Sequence, residues 1–436
     1  MSYWDAIWIT LFAGLAVLAL PYCVLGSAYL DCWLAERSQP TDAPVPPLTF
    51  LRPLKRGVPA LREKLESLVL ATGAQDQIVI GVDDGSEEAV LADEVRARFP
   101  ERDIVVVACA SKERGHPAPD PPIAQSAILP GPCAEKFALR GVWSGAGRPR
   151  SLIALRAAGA ALNPKISKLV QMEAHARHEH WLLSDSEAML DAEFLAAFRD
   201  EWAASGADVL TAGYRFRNLR TWPQRLDAAA VLLTLWPGLA MVRRHGTVRF
   251  TLGACTALRR SDVAAVGGWK AFGADLAEDN RLGAALAAAG KTIRLSAHVA
   301  TLDSDPLSWR GYWRHQRRVA VTYRASNPAG FAGMIFTQTW PWCALIAVIG
   351  PADGLGPRAA LGLLIFILAL RAQFAWETAR VLDFRVPWLP LLVPIATLVE
   401  SVCWFASWGS RSVWWGGRKR RVSFRGGLMP HRTPEG

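Results

Sequence analysis

Three pairs of carboxylates sit where short apolar runs end or a helical run begins. Asp83 and Asp84 open "DDGS" after "QIVIGV", Asp185 and Glu187 lie two apart in "HWLLSDSEA", and Glu278 and Asp279 start "EDNRLGAALAAAG". A strand that buries both faces has no reason to finish in anions unless a cation or charged ligand meets them. The D-x-E pair offers only oxygen donors, which suit a hard cation such as Mg²⁺ or Mn²⁺ that keeps waters and phosphates in its shell. Each pair also has a plain structural account. Asp-Gly-Ser is turn chemistry, Asp185 or Ser186 could cap a following helix, and acidic residues at a helix start are favoured by its dipole. Further on, "YWRHQRRVAVTYR" (312–324) gathers Arg314, His315, Arg317, Arg318 and Arg324 among aromatics. Its structural account is a basic interfacial helix holding anionic lipid.

Other chemistries are excluded. His175, His178 and His180 have no acidic or thiol companion at a zinc-site spacing. No Walker A loop, HExxH or G-x-S-x-G is present, which removes the common NTPase, zincin and serine-hydrolase readings. The 7 Cys are scattered without a CxxC pair, as expected for free thiols in a reducing compartment. The net charge of +10 points to an anionic partner: nucleic acid, a phosphorylated substrate or an acidic leaflet.

The elements that must position these residues follow from the hydrophobic pattern. After a Pro-rich linker (40–47), the apolar runs "LTFLRPL", "QIVIGVDD", "DIVVVAC", "HWLLSDS" and "DVLTAG" alternate with helical patterns such as 59–71 and 88–99. That alternation argues for an α/β unit with a mainly parallel sheet. In such sheets ligands bind beyond the carboxyl ends of the strands, where both "VDDGSEE" and "SDSEA" fall. Residues 111–150, rich in Pro and Gly, read as an insertion or flexible loop.

Membrane segments frame this unit. No charge occurs between Asp5 and Asp31, a run longer than the roughly 20 residues needed to cross a bilayer, so the N-terminal segment reads as a retained anchor. Apolar segments follow at 330–350, 359–382 and 386–408; the last carries Pro387, Pro390, Pro394 and Glu400 and reads as re-entrant or interfacial. The middle unit and the tail "GGRKRRVSFR" are basic, so both belong on the cytoplasmic side, which needs two crossings plus one interfacial segment after the anchor. The stretch 220–244 could lie in the interface with Trp222 and Trp236 at headgroup level, or form an ordinary buried helix. The expected division is an anchor at 1–39, an α/β domain at 40–305, a basic interfacial helix at 306–328, a membrane region at 329–410 and a basic tail at 411–436.

In this order, DDGS, D-x-E, E-D and the basic cluster make the chain resemble inverting glycosyltransferases of the GT-A fold, and among them the ceramide glucosyltransferase family (glycosyltransferase family 21). The stretches that carry the likeness are "LTFLRPLKRGVPALREKLESL", "IVIGVDDGSEEAV", "LNPKISKLVQMEAHARHEHWLLSDSEA", "GACTALRRSDVAAVGGWKAFGADLAEDNRLGAAL" and "RHQRRV". Bacterial hopanoid-directed lipid glycosyltransferases are similar over the same stretches. The resemblance implies a Rossmann-like GT-A domain, with an N-terminal transmembrane helix and C-terminal membrane helices. It also implies an integral protein of a bacterial inner membrane with its catalytic domain facing the cytoplasm. It implies a hexosyltransferase that moves a sugar from a UDP-sugar, UDP-glucose first among them, to a lipid hydroxyl of ceramide or hopanoid type. Asp84 with Asp83 would hold the nucleoside, Asp185 with Glu187 an Mg²⁺ or Mn²⁺ ion, and Asp279 would be the base. Arg318, with His315 in the same motif, would lie at the reaction centre, and Lys165 would assist at the diphosphate. Nucleic acid is not an expected partner. The family motif ends in Arg-Trp, where this chain has Arg318-Val319. The rival readings are a processive polysaccharide synthase and a non-catalytic, transferase-like membrane protein.

Overall fold

The computed structural model describes residues 3–36, 46–110, 163–304, 306–350, 355–415 and 417–429. The expected insertion at 111–150 and most of the Pro-rich linker lie outside the described residues.

Helices α1 (Tyr3–Val17) and α2 (Ala19–Ala35) come first, followed by β1 (Leu48–Pro53), α3 (Leu61–Ala71), β2 (Gln77–Asp83), α4 (Glu87–Arg98) and β3 (Asp103–Cys109). After the undescribed stretch come α5 (Pro164–Met172), β4 (His180–Ser184), β5 (Ala188–Met189), α6 (Ala192–Ser205) and β6 (Val209–Arg217). Then α7 (Trp222–Ala230) passes through one π turn (Val231–Leu235) into α8 (Trp236–His245), and β7 (Cys255–Arg259), α9 (Arg260–Ala265), α10 (Glu278–Ala288) and β8 (Ile293–Asp303) complete the α/β unit.

Eight strands form one sheet in the order β3-β2-β1-β4-β7-β6-β8-β5. The pairs β1–β2, β2–β3, β1–β4 and β6–β8 are parallel, whereas β7 runs antiparallel to both neighbours and β5 antiparallel to β8. Side chains alternate across the strands. Leu51 and Val79 feed one core, while Leu48, Phe50, Ile78, Ile80 and Val82 feed the other. The second core takes Leu65 and Leu68 of α3, Val95 of α4 and Phe198 of α6; the first takes Leu169 of α5 and Leu286 of α10. Helices therefore cover both faces, the α/β arrangement expected from the alternation of patterns. Each such Leu, Ile or Phe contributes about 1.5–3 kcal/mol by leaving water.

Local chemistry sets the helix starts. Ser86 caps α4 by accepting from the Ala89 N–H, with Glu87 and Glu88 in the first turn and Arg96 and Arg98 in the last, which complements the helix dipole. Asn163 caps α5 with Pro164 at its first position, and Asp191 caps α6. Asp185 and Ser186 therefore do not serve as that cap, because the chain turns back through β5 before the helix begins. One buried ion pair fastens α3 to the sheet: Lys64 Nζ lies 2.8 Å from Asp303 Oδ2, with side chains 0% and 3% exposed.

Beyond β8 lie α11 (Trp309–Ser326), α12 (Pro328–Gly333), α13 (Thr339–Ile349), α14 (Leu355–Val381) and α15 (Leu389–Trp408). Among the described residues four helical stretches are long and apolar enough to cross a membrane: Ala6–Ala35, Trp222–His245, Gly356–Val381 and Leu389–Trp408. A fifth, Pro328–Thr337 with Thr339–Ile349, is bent by 54°. The break thus falls in the first of the three late segments rather than in the last, where α15 continues through Pro394. The anchor is docked on the α/β unit. Trp33 packs on Trp236 with ring centroids 5.7 Å apart, and a Cβ on Gly26 would collide with Pro237. Trp236 is fully buried there, whereas Trp222 is exposed.

The basic tail is folded back. Strands β9 (Ser412–Trp415), β10 (Arg418–Val422) and β11 (Leu428–Met429) form a small antiparallel sheet. The Leu276 N–H donates to Gly426 O at 3.1 Å and the Leu428 N–H donates to Ala274 O at 2.7 Å, just ahead of Glu278.

Candidate functional site

The acidic residues gather beyond the carboxyl ends of the parallel strands β2 and β4. Asp83 ends β2, and Gly85, at φ 64°, lets the chain turn into α4, so "DDGS" is indeed a turn. It is also charged machinery. Lys168 Nζ of α5 lies 2.9 Å from Asp83 Oδ1 and Arg56 Nε 3.2 Å from Oδ2. Asp84 stands beside it, exposed.

Asp185 and Glu187 follow β4, and a residue not expected from the sequence fixes them. Arg52, fully buried in β1, donates to Ser184 Oγ at 3.2 Å, to Ser186 O at 3.3 Å and to Ala188 O, gripping both ends of the turn. An arginine inside a strand buried on both faces was the available signal. Behind the turn, the Asp185 N–H donates to Gly253 O at 3.0 Å. A Cβ at Gly253 would press on the Asp185 carboxylate, so glycine keeps that carboxylate open. Lysines face both anions. Lys165 Nζ donates to Asp185 Oδ1 at 2.7 Å, and Lys55 pairs with Glu187. Burial raises the Asp185 pKa against the pull of Lys165. Burial would raise Glu187 too, but Lys55 and the Ser186 hydroxyl outweigh it and hold this carboxyl below its usual range.

Lys165 also reaches across to α10, 3.1 Å from Glu278 Oε1. Asn163 Nδ2 donates to Glu278 Oε2 at 2.9 Å. Burial alone would lower the Lys165 pKa, but Asp185, Glu278 and Asp279 reverse that and keep the ammonium charged. Glu278 is thus fully engaged. Asp279 is not: among the described residues its carboxylate accepts only the Asn280 N–H, at 2.7 Å. Desolvation, with Glu278 beside it, raises Asp279 to about 7, with Lys165 opposing. A half-buried carboxylate without a cation of its own, titrating near neutrality, is suited to accept a proton.

Helix α11 divides the basic cluster. Arg314 stacks on Trp414, 3.8 Å from the ring centroid, Arg317 donates to Ser410 Oγ at 3.0 Å, and Arg324 lies over Phe424. These three brace the tail. His315 and Arg318 turn the other way: Arg318 Nη2 sits 3.0 Å from His315 Nδ1, and His315 Nε2 sits 3.4 Å from Asp227 Oδ1. Burial lowers the Arg318 pKa, while Asp227, Glu278 and Glu187 support its charge, which sets the guanidinium within the field of the acidic cluster.

The histidines at 175–180 make no metal site. His178 Nε2 lies 2.9 Å from Gln75 O, and His180 meets Trp202 edge-on. Among the described residues no group of three or more His, Cys, Asp or Glu is placed to hold a metal. The Asp185–Glu187 pair still suits a divalent ion in its donor chemistry. Both side chains are oxygen donors, and each now faces an ammonium, Lys165 on Asp185 and Lys55 on Glu187, which a bound cation would have to displace or share. Such a site needs further ligands from phosphate and water, as Mg²⁺ sites commonly do.

The family model described as Glycosyl transferase family 21 matches residues 12–117 and 149–427. No curated protein matches the chain. Among solved structures, the mannosyltransferase PcManGT from Pyrobaculum calidifontis, in complex with GDP-Man and Mn²⁺, is 14% identical with a TM-score of 0.45, covering 91% of this chain and 98% of that one. S. aureus TarS 1–349 in complex with UDP-GlcNAc is 12% identical with a TM-score of 0.35, covering 86% and 96%.

Proposed function

The chain belongs to glycosyl transferase family 21, and from that premise we propose that it moves a sugar, glucose first, from a UDP-sugar to a lipid hydroxyl of ceramide or hopanoid type with inversion at the anomeric carbon. The observation that carries this reading is the division of labour in the Glu278–Asp279 pair. Glu278 is engaged by Lys165 and Asn163, while Asp279 among the described residues accepts only the Asn280 N–H and has a pKa raised to about 7.

Asp84, with Asp83 held by Lys168 and Arg56, receives the nucleoside at the mouth of β2. Lys165 and Arg318 bring two cations to the diphosphate as charge builds on it, and fixed charges in a dry site stabilise such a leaving group without reorganising. A Mg²⁺ or Mn²⁺ ion held by Asp185 and Glu187 would supply further neutralisation of that diphosphate. The bond from the anomeric carbon to the diphosphate oxygen breaks as the acceptor oxygen bonds that carbon from the opposite side. The acceptor proton passes to the Asp279 carboxylate.

A lipid acceptor is supported by the apolar stretches that frame the α/β unit, Ala6–Ala35, Gly356–Val381, Leu389–Trp408 and the bent pair Pro328–Thr337 with Thr339–Ile349; Trp222–His245 joins β6 to β7 of one sheet and is not counted with them. The hydrogen bonds from Leu276 to Gly426 and from Leu428 to Ala274 keep tail and domain on one side, so an even number of crossings separates them. The basic strand β10 favours the cytoplasmic side, in a bacterial inner membrane. The test is transfer of labelled glucose from UDP-glucose to lipid extract by purified protein in detergent with Mg²⁺ or Mn²⁺. A lipid-linked, alkali-stable β-glucoside is the expected product; no transfer from any nucleotide sugar to any lipid would overturn the reading.

A further inference from the structure

Between α7 with its π turn, α11 and α15 lies a cavity of ≈ 70 Å³. Val231, Leu235, Phe331 and Trp404 make its walls apolar, and Val319 borders it where a larger side chain would project inward. Polar groups also face it, and they differ in what remains free. Asp227 is engaged, accepting from Gln316 Nε2 at 2.8 Å with His315 beside it. Glu400, the lone charge on α15, is only half engaged. Its Oε1 accepts from Thr234 Oγ1 at 3.0 Å, while its Oε2 lies 3.9 Å from Arg371 Nη2, beyond hydrogen-bond length. Arg371 spends Nη1 elsewhere, on Thr337 O at 3.1 Å. A carboxylate offers about four lone-pair positions, so Glu400 has accepting capacity left on its cavity side. His315 also lines the cavity, and its Nδ1 lies 3.0 Å from Arg318 Nη2, so the cavity adjoins the basic pair that faces the acidic cluster.

Resting on the lipid-acceptor reading above, we propose that this cavity receives the acceptor's head. Glu400 there accepts a hydrogen bond from a second donor on it, a hydroxyl or amide N–H next to the reacting hydroxyl. The acceptor class is then a lipid with at least two hydrogen-bond donors in its head, held so that the reacting hydroxyl faces Asp279. Arg371 and Thr234 are positioning residues that fix the carboxylate.

The experiment uses the full chain in detergent micelles with two kinds of probe. Ceramide and a hopanoid tetrol carry several donors; hexadecanol carries one hydroxyl. Wild type is expected to favour the multi-donor lipids by about tenfold or more in kcat/KM, the worth of one hydrogen bond to a charged group. Removing Glu400 alone would strand Arg371, so Glu400→Met is made with Arg371→Met, since an apolar replacement of a whole buried pair is commonly tolerated. This double variant should lose that preference through KM, so that the ratio of kcat/KM for ceramide or tetrol to that for hexadecanol falls about tenfold. Leu235→Trp, which leaves the pair intact, should raise KM for ceramide and tetrol by filling the cavity that Leu235 lines. Equal loss on all probes in the double variant, or an unchanged KM in Leu235→Trp, overturns the proposal while lipid glycosylation itself stands. Absence of transfer to every probe by wild type counts against the function reading instead.

Discussion

At the end of β4, Asp185 and Glu187 each face a lysine; at the start of α10, Glu278 faces Lys165 and Asn163 while Asp279 accepts one backbone N–H. Both pairs are acidic, both stand at element ends and both share the field of Lys165. In the first pair each carboxylate reaches an ammonium: Lys55 holds Glu187 below its usual range, and Lys165 opposes, without reversing, the rise that burial brings to Asp185. The second is split into a holder and, among the described residues, a carboxylate that reaches no ammonium and whose pKa burial beside Glu278 raises to about 7. What separates Asp279 from the other three is the partner within hydrogen-bond distance: an ammonium favours the anion, and desolvation beside another anion favours the proton.

The comparison breaks most plainly at Asp279. Asp279→Asn keeps the side-chain volume and should lose roughly 10²–10⁴-fold in kcat, the usual worth of general-base catalysis, with nucleotide affinity by calorimetry retained. Near wild-type turnover would make Asp279 a helix-dipole partner only. On the other side of the cleft, Asp185→Asn should cost about 10²–10³-fold, in line with loss of one electrostatic stabiliser at a leaving group. Excess chelator should likewise abolish wild-type transfer; full activity in chelator would mean that the lysines suffice.

Smaller effects sharpen the contrast through pH. A carboxylate acting as the proposed base works only when deprotonated, so wild-type kcat/KM should fall as pH drops below about 7, the value to which Asp279 is raised. Glu278 pushes that value up, so Glu278→Gln should move the acid limb to lower pH. Lys165 pushes it down, so Lys165→Met should move the limb to higher pH, with weaker donor binding. Shifts of the two limbs in the same direction would contradict the assigned electrostatics.

Much of this arrangement was legible in the sequence, because strand ends and helix starts are local signals. "QIVIGVDD" and "HWLLSDS" end as strands do, and the carboxylates stand beyond them. What was not legible depended on partners far along the chain. Lys64 looks like a solvated position of an amphipathic helix, yet it is buried on Asp303 of β8. The basic run of α11 looks uniform, but contacts with the folded-back tail take Arg314, Arg317 and Arg324 and leave His315 and Arg318 for the cleft. Trp236 has the composition of an interfacial anchor and is instead enclosed by Trp33 of α2. Hydropathy marked Pro394 and Glu400 as interruptions of a span, but Glu400 finds Thr234 and Arg371 and α15 runs on.

The small sheet of residues 412–429 carries a consequence for biosynthesis. Residues 274–276, whose backbone it pairs with, leave the ribosome long before it does, and α14 and α15 are made in between. The segment that leads into Glu278 and Asp279 can therefore gain its edge partners only after those two helices have found their places. Until the chain has been made through Met429, the segment that leads into Glu278 and Asp279 lacks this outer brace, so folding of the α/β unit alone does not complete its surroundings.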